Sequence, residues 1–192
     1  MKLFGSIPSP YVRRIRMLLA DASYEFVNLN IFSEQDRATL IRLNPTRKIP
    51  MLVDQEQVIF DSNLIYRYLC QKLDLPTLSW PQENQIILIN AANDSLVELL
   101  ICQRSGFDTN DDKLFFNLQR ERVGEVLAVL EQQVQAQAFN DWNYAAICLY
   151  CLLDWIAFRN LWPMDAFPAL NEFVSANQHQ PGVASSDPRL AG

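Results

Sequence analysis

The chain has 192 residues, of which 49% are hydrophobic and 20% charged, a composition typical of one large or two small folded domains. Its 16 Lys and Arg residues against 22 Asp and Glu residues leave a net charge of −6, which disfavours a general nucleic-acid-binding protein. We find no apolar run that approaches the roughly 18 to 20 residues needed to span a bilayer, and no apolar signal core after Met1. We therefore expect a cytoplasmic protein without a membrane partner.

The first part of the chain, to about residue 73, predicts the order strand, helix, strand, helix, strand, strand, helix. Proline suits the first position of a helix, so Pro10 indicates a helix start just after the first strand. A helix between the first two strands makes them parallel, whereas the later hairpin adds antiparallel strands to a mixed sheet. The predicted strands are 2–6, 24–31, 50–53 and 58–60, and the predicted helices begin at Pro10, at Ser33 (reaching about Leu43) and at Asp61-Ser62.

The remainder of the chain shows only helical periodicity after a linker at 74–81 that holds two prolines. We expect helices at 82–104, 112–137, 142–159 and 167–178, followed by a loose tail. The predicted organisation is an α/β domain at 1–75 and an all-helical domain at 82–192.

Two of the four cysteines, Cys148 and Cys151, form a C-x-x-C string inside an apolar helical stretch. A redox pair or half a zinc site is an alternative, but a redox C-x-x-C normally follows a strand and no second pair of ligands follows here. We interpret both thiols as small buried hydrophobes of a helix core and expect no metal.

Four local motifs, in this order along the chain, carry a resemblance to a known family. The segment Ser9–Arg14 is similar to a serine-proline motif at the mouth of the first helix, and Asn44–Pro50 to a segment that ends in a cis-proline. Phe60–Ser62 is similar to an acidic-serine turn, and Leu153–Trp155 with Phe167–Leu170 to common C-terminal phrases. Together they resemble the bacterial, cytosolic-type glutathione transferases, which implies a thioredoxin-like first domain followed by an all-α domain.

The resemblance implies a glutathione site along Ile49 and Pro50. A cis-proline leaves the preceding residue's backbone groups unpaired, so that Ile49 can bind an extended peptide like an added strand; a trans proline that opens an edge strand is the alternative. The family places the γ-glutamyl end of glutathione at the helix start formed by Asp61 and Ser62, where exposed N–H groups favour an anion. The same two residues also form an ordinary helix cap.

Ser9 is the candidate catalytic residue, because a hydroxyl that donates to the glutathione sulfur favours the nucleophilic thiolate. The alternative is that Ser9 only caps the first helix. Lys48 is a candidate for neutralising a carboxylate of glutathione, or else a solvated lysine. We interpret Arg13, Arg14 and Arg16 as a solvated helix face.

The implied activity is that of a detoxifying transferase, which activates glutathione as co-substrate for attack on a small hydrophobic electrophile. We expect Tyr11 to line the electrophile pocket between the domains, and we expect a homodimer. The alternative is a non-catalytic binding or regulatory protein of the same family. One departure from the family is that Asn140–Asn143 replaces a Ser/Thr-x-x-Asp box before the third C-terminal helix, where we expect Asn140 to be the cap.

Overall fold

A computed structural model of the protein describes residues 1–190. Its internal contacts divide the chain into two compact units, which are described separately below. The first consists of Met1–Leu78 together with the C-terminal segment that starts at Gln178, and the second of Ser79–Asn177. The C-terminal segment therefore differs from the expectation, which assigned it to the helical domain.

The first unit is built on a four-stranded mixed sheet in the order β2-β1-β3-β4. Strand β1 pairs in parallel with β2 and antiparallel with β3, and β3 pairs antiparallel with β4. This arrangement, followed by a helical region, confirms the predicted fold class. The elements are β1 (Lys2–Gly5), α1 (Pro10–Leu18), β2 (Glu25–Asn28), α2 (Glu34–Leu43), β3 (Met51–Asp54), β4 (Gln57–Phe60) and α3 (Ser62–Leu73).

Side chains alternate between the two faces of the sheet and pack under different helices. On one face, Met51 forms a buried cluster with Leu29 and with Leu40 of α2. Helix α1 approaches β1 closely, since a Cβ at Gly5 would lie 2.4 Å from a methyl carbon of Val12. Strand β2 is shorter than the predicted 24–31, because β1 offers only four residues and the ladder ends at Asn28.

The second unit contains the four predicted helices: α4 (Trp80–Arg104), α5 (Leu114–Gln135), α6 (Tyr144–Arg159) and α7 (Pro168–Ala176). Helix α6 is buried along Tyr144–Ile156. Cys148 and Cys151 are fully buried within it and form no disulfide, which confirms their interpretation as core residues. The expected cap is wrong: α6 begins one turn later than Asn140, where the side chain of Asn143 accepts from two backbone N–H groups at 2.9 and 3.1 Å.

Helix α4 is long and apolar enough, by length and composition alone, to cross a membrane. The expectation that the chain has no apolar segment long enough to span a bilayer is therefore wrong for α4. Core helices of soluble proteins meet the same criteria, and α4 packs against α5 and α6.

The C-terminal segment packs against α1 instead of forming a loose tail. The Arg13 guanidinium donates to Ser186 Oγ at 3.2 Å and to the Val183 carbonyl at 3.3 Å, and Arg16 donates to the Ser185 carbonyl at 2.7 Å. We call residues 182–186 the strap. The strap approaches α1 so closely that Gly182 has no room for a side chain. Its φ is +80°, and a Cβ there would lie 2.7 Å from the Met17 Cα.

The expected solvated face of α1 is wrong for two of its three arginines. Arg13 and Arg14 are 3% and 0% exposed, respectively. The strap provides the partners of Arg13, and the Arg14 guanidinium stacks over the ring of Tyr11 with its central carbon 4.7 Å from the ring centroid.

Candidate functional site

Three segments that carry predicted site residues lie at one end of the sheet. The register pairs Phe4 of β1 with Met51 of β3, and Met51 with Phe60 of β4. Strands β1 and β4 run towards this end and β3 starts from it, so the start of α1, the residues before β3 and the start of α3 follow at the same end. Two helix N-termini, which favour negative charge, thus lie where the strands end. The predicted residues in these segments are Ser9, Lys48, Ile49, Pro50, Asp61 and Ser62.

Ser9 is the N-cap of α1 and is half-buried. Its Oγ accepts from the Val12 N–H at 3.4 Å, which is longer than the usual 2.9 to 3.0 Å of such bonds. The cap role of Ser9 is therefore present but weak. As an acceptor in this bond, the hydroxyl retains its own proton for donation to another group.

The segment before β3 is shaped by Asn44, a residue that the sequence analysis did not single out. Asn44 ends α2 and is 0% exposed. Its amide nitrogen donates to the Lys48 carbonyl at 2.7 Å, and its amide oxygen accepts from Thr46 N–H at 3.0 Å and Thr46 Oγ1 at 2.8 Å. An asparagine directly before Pro45, at the end of a helical pattern, is the signal that could have identified it.

The Ile49–Pro50 peptide is cis, as predicted. Lys48 is exposed and its side chain is solvated, whereas the Ile49 side chain packs against the Met51 cluster. The backbone of this segment is thus held in place by the apolar packing of Ile49 and by the hydrogen bond from Asn44. The segment is exposed to solvent at Lys48.

Asp61 is the N-cap of α3, which confirms its predicted cap role, and Ser62 is the first residue of the helix. One carboxylate oxygen of Asp61 accepts from the N–H groups of Asn63 and Leu64 at 2.8 and 3.2 Å. The Asp61 backbone has φ of 76°, in the left-handed region that non-glycine residues rarely occupy. Ser62 is 2% exposed, so its side chain is buried at the start of the helix.

An ion-pair network lies at the opposite end of β3, away from these segments. The Asp54 carboxylate accepts from Lys72 Nζ at 2.5 Å and from the Tyr68 hydroxyl at 2.6 Å, and both partners belong to α3. These hydrogen bonds, first that of Lys72, lower the pKa of Asp54. The bond to Asp54 in turn raises the pKa of Lys72 and that of Tyr68. The network fastens α3 to the sheet and takes no part in the candidate site.

Comparison with known proteins yields consistent matches. Residues 1–71 match the family described as Glutathione S-transferase, N-terminal domain. The uncharacterized GST-like protein YibF of Escherichia coli (strain K12) is 27% identical over 175 residues, which are 85% of each chain. A stringent starvation protein A homolog of Haemophilus influenzae is 29% identical over 103 residues, 54% of this chain and 46% of that protein.

The solved structures agree with the sequence relatives. The crystal structure of a glutathione transferase family member from Pseudomonas fluorescens Pf-5, with bound glutathione, is 26% identical to this chain. It superimposes with a TM-score of 0.82 and covers 97% of this chain and 98% of its own.

Proposed function

We propose that this chain, as a member of the glutathione S-transferase family, binds glutathione. The binding site is the end of the sheet where α1, β3 and α3 begin. The observation that carries this proposal is the strand register, which aligns Phe4, Met51 and Phe60 and so gathers the predicted site segments. Glutathione is a tripeptide with two carboxylates and one thiol. The two helix N-termini suit its negative groups, and a backbone edge at Ile49 suits its peptide.

In this proposal the γ-glutamyl end lies at Asp61 and Ser62, the peptide lies along Ile49 and Pro50, and the exposed Lys48 neutralises a carboxylate. Asp61 uses one carboxylate oxygen as a cap, which leaves the other oxygen for the ligand's ammonium group. Replacement of Ser62 by Ala should weaken glutathione binding by about 1 to 3 kcal/mol. Calorimetric titration measures the change, with Asn63→Ala on the same helix as the control. Equal affinities of wild type and Ser62→Ala would remove Ser62 from the site.

We assign the activation of the thiol to Ser9. Its hydroxyl donates to the glutathione sulfur beside the N-terminus of α1, which favours the thiolate over the thiol and so supplies a nucleophile for a small electrophile. The geometry of the cap bond is compatible with this role, because the Ser9 hydroxyl accepts in that bond and keeps its own proton for donation to the sulfur.

The experiment compares Ser9→Ala with Ser33→Ala. Ser33 is a matched control, because it caps α2 through a bond of similar length, 3.3 Å from the Asp36 N–H. Both variants should lose about 1 kcal/mol of stability as caps. Only Ser9→Ala should lose turnover and shift the thiolate absorbance of the glutathione complex to higher pH. Overlapping pH titrations of Ser9→Ala and wild type would show that Ser9 is a cap alone.

A second candidate function is that of a non-catalytic binding or regulatory protein. It is favoured by one observation: some relatives of this chain carry a name other than transferase, stringent starvation protein A homolog. Retention on immobilised glutathione, with elution by free glutathione, supports the transferase. A folded protein that passes through the column supports the second candidate.

We also propose that the protein is a cytoplasmic homodimer. Within the second unit, α4 exposes large apolar side chains, among them Ile87 and Ile101 at 63% and 57%. Apolar surface of this kind marks a protein or membrane contact. Sedimentation in buffer without detergent should give a species of about twice 22.1 kDa. A species of 22.1 kDa at micromolar concentration contradicts the dimer.

A further inference from the structure

Asn44 is a fully buried polar side chain directly adjoining the proposed glutathione site. It is 0% exposed, and its amide makes three hydrogen bonds with the next four residues of the chain. Two of them hold Thr46 and so stabilise the turn after α2. The third, 2.7 Å long, goes from the amide nitrogen of Asn44 to the Lys48 carbonyl.

The bond to the Lys48 carbonyl has a consequence at Ile49. The Lys48 C=O and the Ile49 N–H belong to one peptide unit, which is planar, and in a trans unit the two groups point in opposite directions. The cis bond lies one residue later, between Ile49 and Pro50. Asn44 therefore fixes the direction of the Ile49 N–H by holding the carbonyl at the other end of the same plane.

The Ile49 N–H is directed away from Asn44, and no hydrogen bond within residues 1–190 uses it. The turn that precedes it includes Arg47 with φ of 57°, in the left-handed region, so the backbone alone does not favour this path. A buried side chain that holds Thr46 and Lys48 at once defines the path instead.

We infer that Asn44 is a positioning residue for glutathione binding, which acts by orienting the Lys48–Ile49 peptide so that the Ile49 N–H faces the peptide of the ligand. This inference rests on the proposed function. It assigns to Asn44 no contact with glutathione and no part in forming the thiolate. Asn44 therefore affects affinity through the backbone, whereas Ser9 affects the sulfur.

The test compares Asn44→Asp with Thr46→Val. Aspartate has the shape of asparagine and retains the oxygen that accepts from Thr46, but it has no N–H for the Lys48 carbonyl. Thr46→Val removes only the bond from Thr46 Oγ1 and leaves the bond to Lys48 in place. Asn44→Asp should raise the dissociation constant for glutathione roughly 5- to 100-fold, and Thr46→Val less than twofold.

Three readouts separate positioning from a general loss of stability. In Asn44→Asp, KM for glutathione should rise while kcat at saturation and the pH titration of the bound thiolate stay as in wild type. Calorimetry at low temperature, on samples whose circular dichroism shows the native fold, excludes unfolding as the cause. The backbone amide signal of Ile49 in NMR should move in Asn44→Asp and stay in Thr46→Val, with no ligand present.

The possible outcomes are distinct. Unchanged affinity in Asn44→Asp, or an equal loss in Thr46→Val, overturns the role of Asn44. A wild type that does not bind glutathione overturns the proposed function, and with it the role of Asn44 in binding, while the Ile49 amide signal still tests whether Asn44 orients that peptide. If Asn44→Asp does not fold, Asn44→Ser, which has a hydroxyl too short to reach Lys48, should show the same loss of affinity.

Discussion

The two units of this protein are stabilised in different ways. In the first unit, buried polar side chains hold together segments that are distant in the sequence: Asp54 fastens α3 to the sheet, and Arg13 holds the strap 170 residues later. In the second unit, one helix, α6, is buried without interruption along Tyr144–Ile156 and contributes a continuous run of side chains to the interior. Polar side chains of this kind fix the positions of particular segments through directional bonds, whereas an apolar interior only has to fill space.

The largest effect should come from the apolar interior of the second unit. Leu149 on α6 is 0% exposed, and Leu149→Ala should lower the free energy of unfolding by about 2 to 5 kcal/mol through the cavity it leaves. Urea denaturation followed by circular dichroism measures this loss. The matched control is Leu118→Ala on α5, where the side chain is 45% exposed and the loss should stay below about 1 kcal/mol. Similar losses in the two variants would contradict the comparison.

The next effect concerns the ion-pair network of the first unit. Asp54→Asn removes the charge that Lys72 and Tyr68 face and should cost about 1 to 3 kcal/mol near neutral pH. Tyr68→Phe, which loses one bond only, should cost about 1 kcal/mol. Both are measured by urea denaturation, and a Tyr68→Phe loss that exceeds that of Asp54→Asn would show that the Tyr68 hydroxyl, and not the charge of Asp54, dominates the network.

The same network should give stability a defined pH dependence. The pKa of Asp54 is lowered in the folded state by Lys72, so its contribution is present above about pH 4 and is lost as the pH falls through the folded value. The pKa values of Lys72 and Tyr68 are raised, so their contributions are lost as the pH rises above about 10. Asp54→Asn should flatten both limbs of the stability profile. Unchanged limbs in that variant would exclude the network as their source.

A smaller effect should come from Glu131, a buried carboxylate that links α5 to α7 within the second unit. Its two carboxylate oxygens accept from the Ala169 and Leu170 N–H groups at 3.0 and 2.9 Å and so cap α7 from another helix. Glu131→Gln places an N–H against one of these donors and should cost about 1 to 2 kcal/mol. Glu125→Gln, at an exposed position of the same helix, should cost less than about 0.5 kcal/mol. Equal melting temperatures of the two variants would argue against the cap.

The smallest effect should come from the strap. Ser186→Ala removes the hydroxyl that accepts from Arg13 and should cost about 1 kcal/mol. Ser185→Ala is the control, because Arg16 binds the backbone carbonyl of Ser185 and not its side chain. Thermal unfolding measures the loss of stability in both variants. A loss confined to Ser185→Ala would contradict the assigned contacts.

The order of elements and the interior of α6 could be predicted from the sequence, because both depend on local periodicity and capping residues. The burial of Cys148 and Cys151 followed from the apolar stretch around them. The cap of α6 was predicted one turn too early, since Asn140 and Asn143 are chemically equal and only the packing of the helix decides between them.

Other features could not be predicted, because they depend on tertiary folding and not on local periodicity. The interpretation of Arg13 as solvated failed because its partners lie more than 165 residues downstream, at Val183 and Ser186. Asn44 resembled an ordinary turn residue, since its bond to Lys48 depends on how the whole turn folds. Within the candidate site, the motifs predicted which segments converge, and the strand register determined where.

The strap also has a consequence for the order in which the protein is completed during synthesis. Its residues complete the first unit, yet the whole of Ser79–Asn177 is translated between the two parts. The groups that bind Arg13 lie 170 or more residues downstream. At a translation rate of roughly 5 to 20 residues per second, helix α1 therefore waits on the order of 10 to 35 s for them.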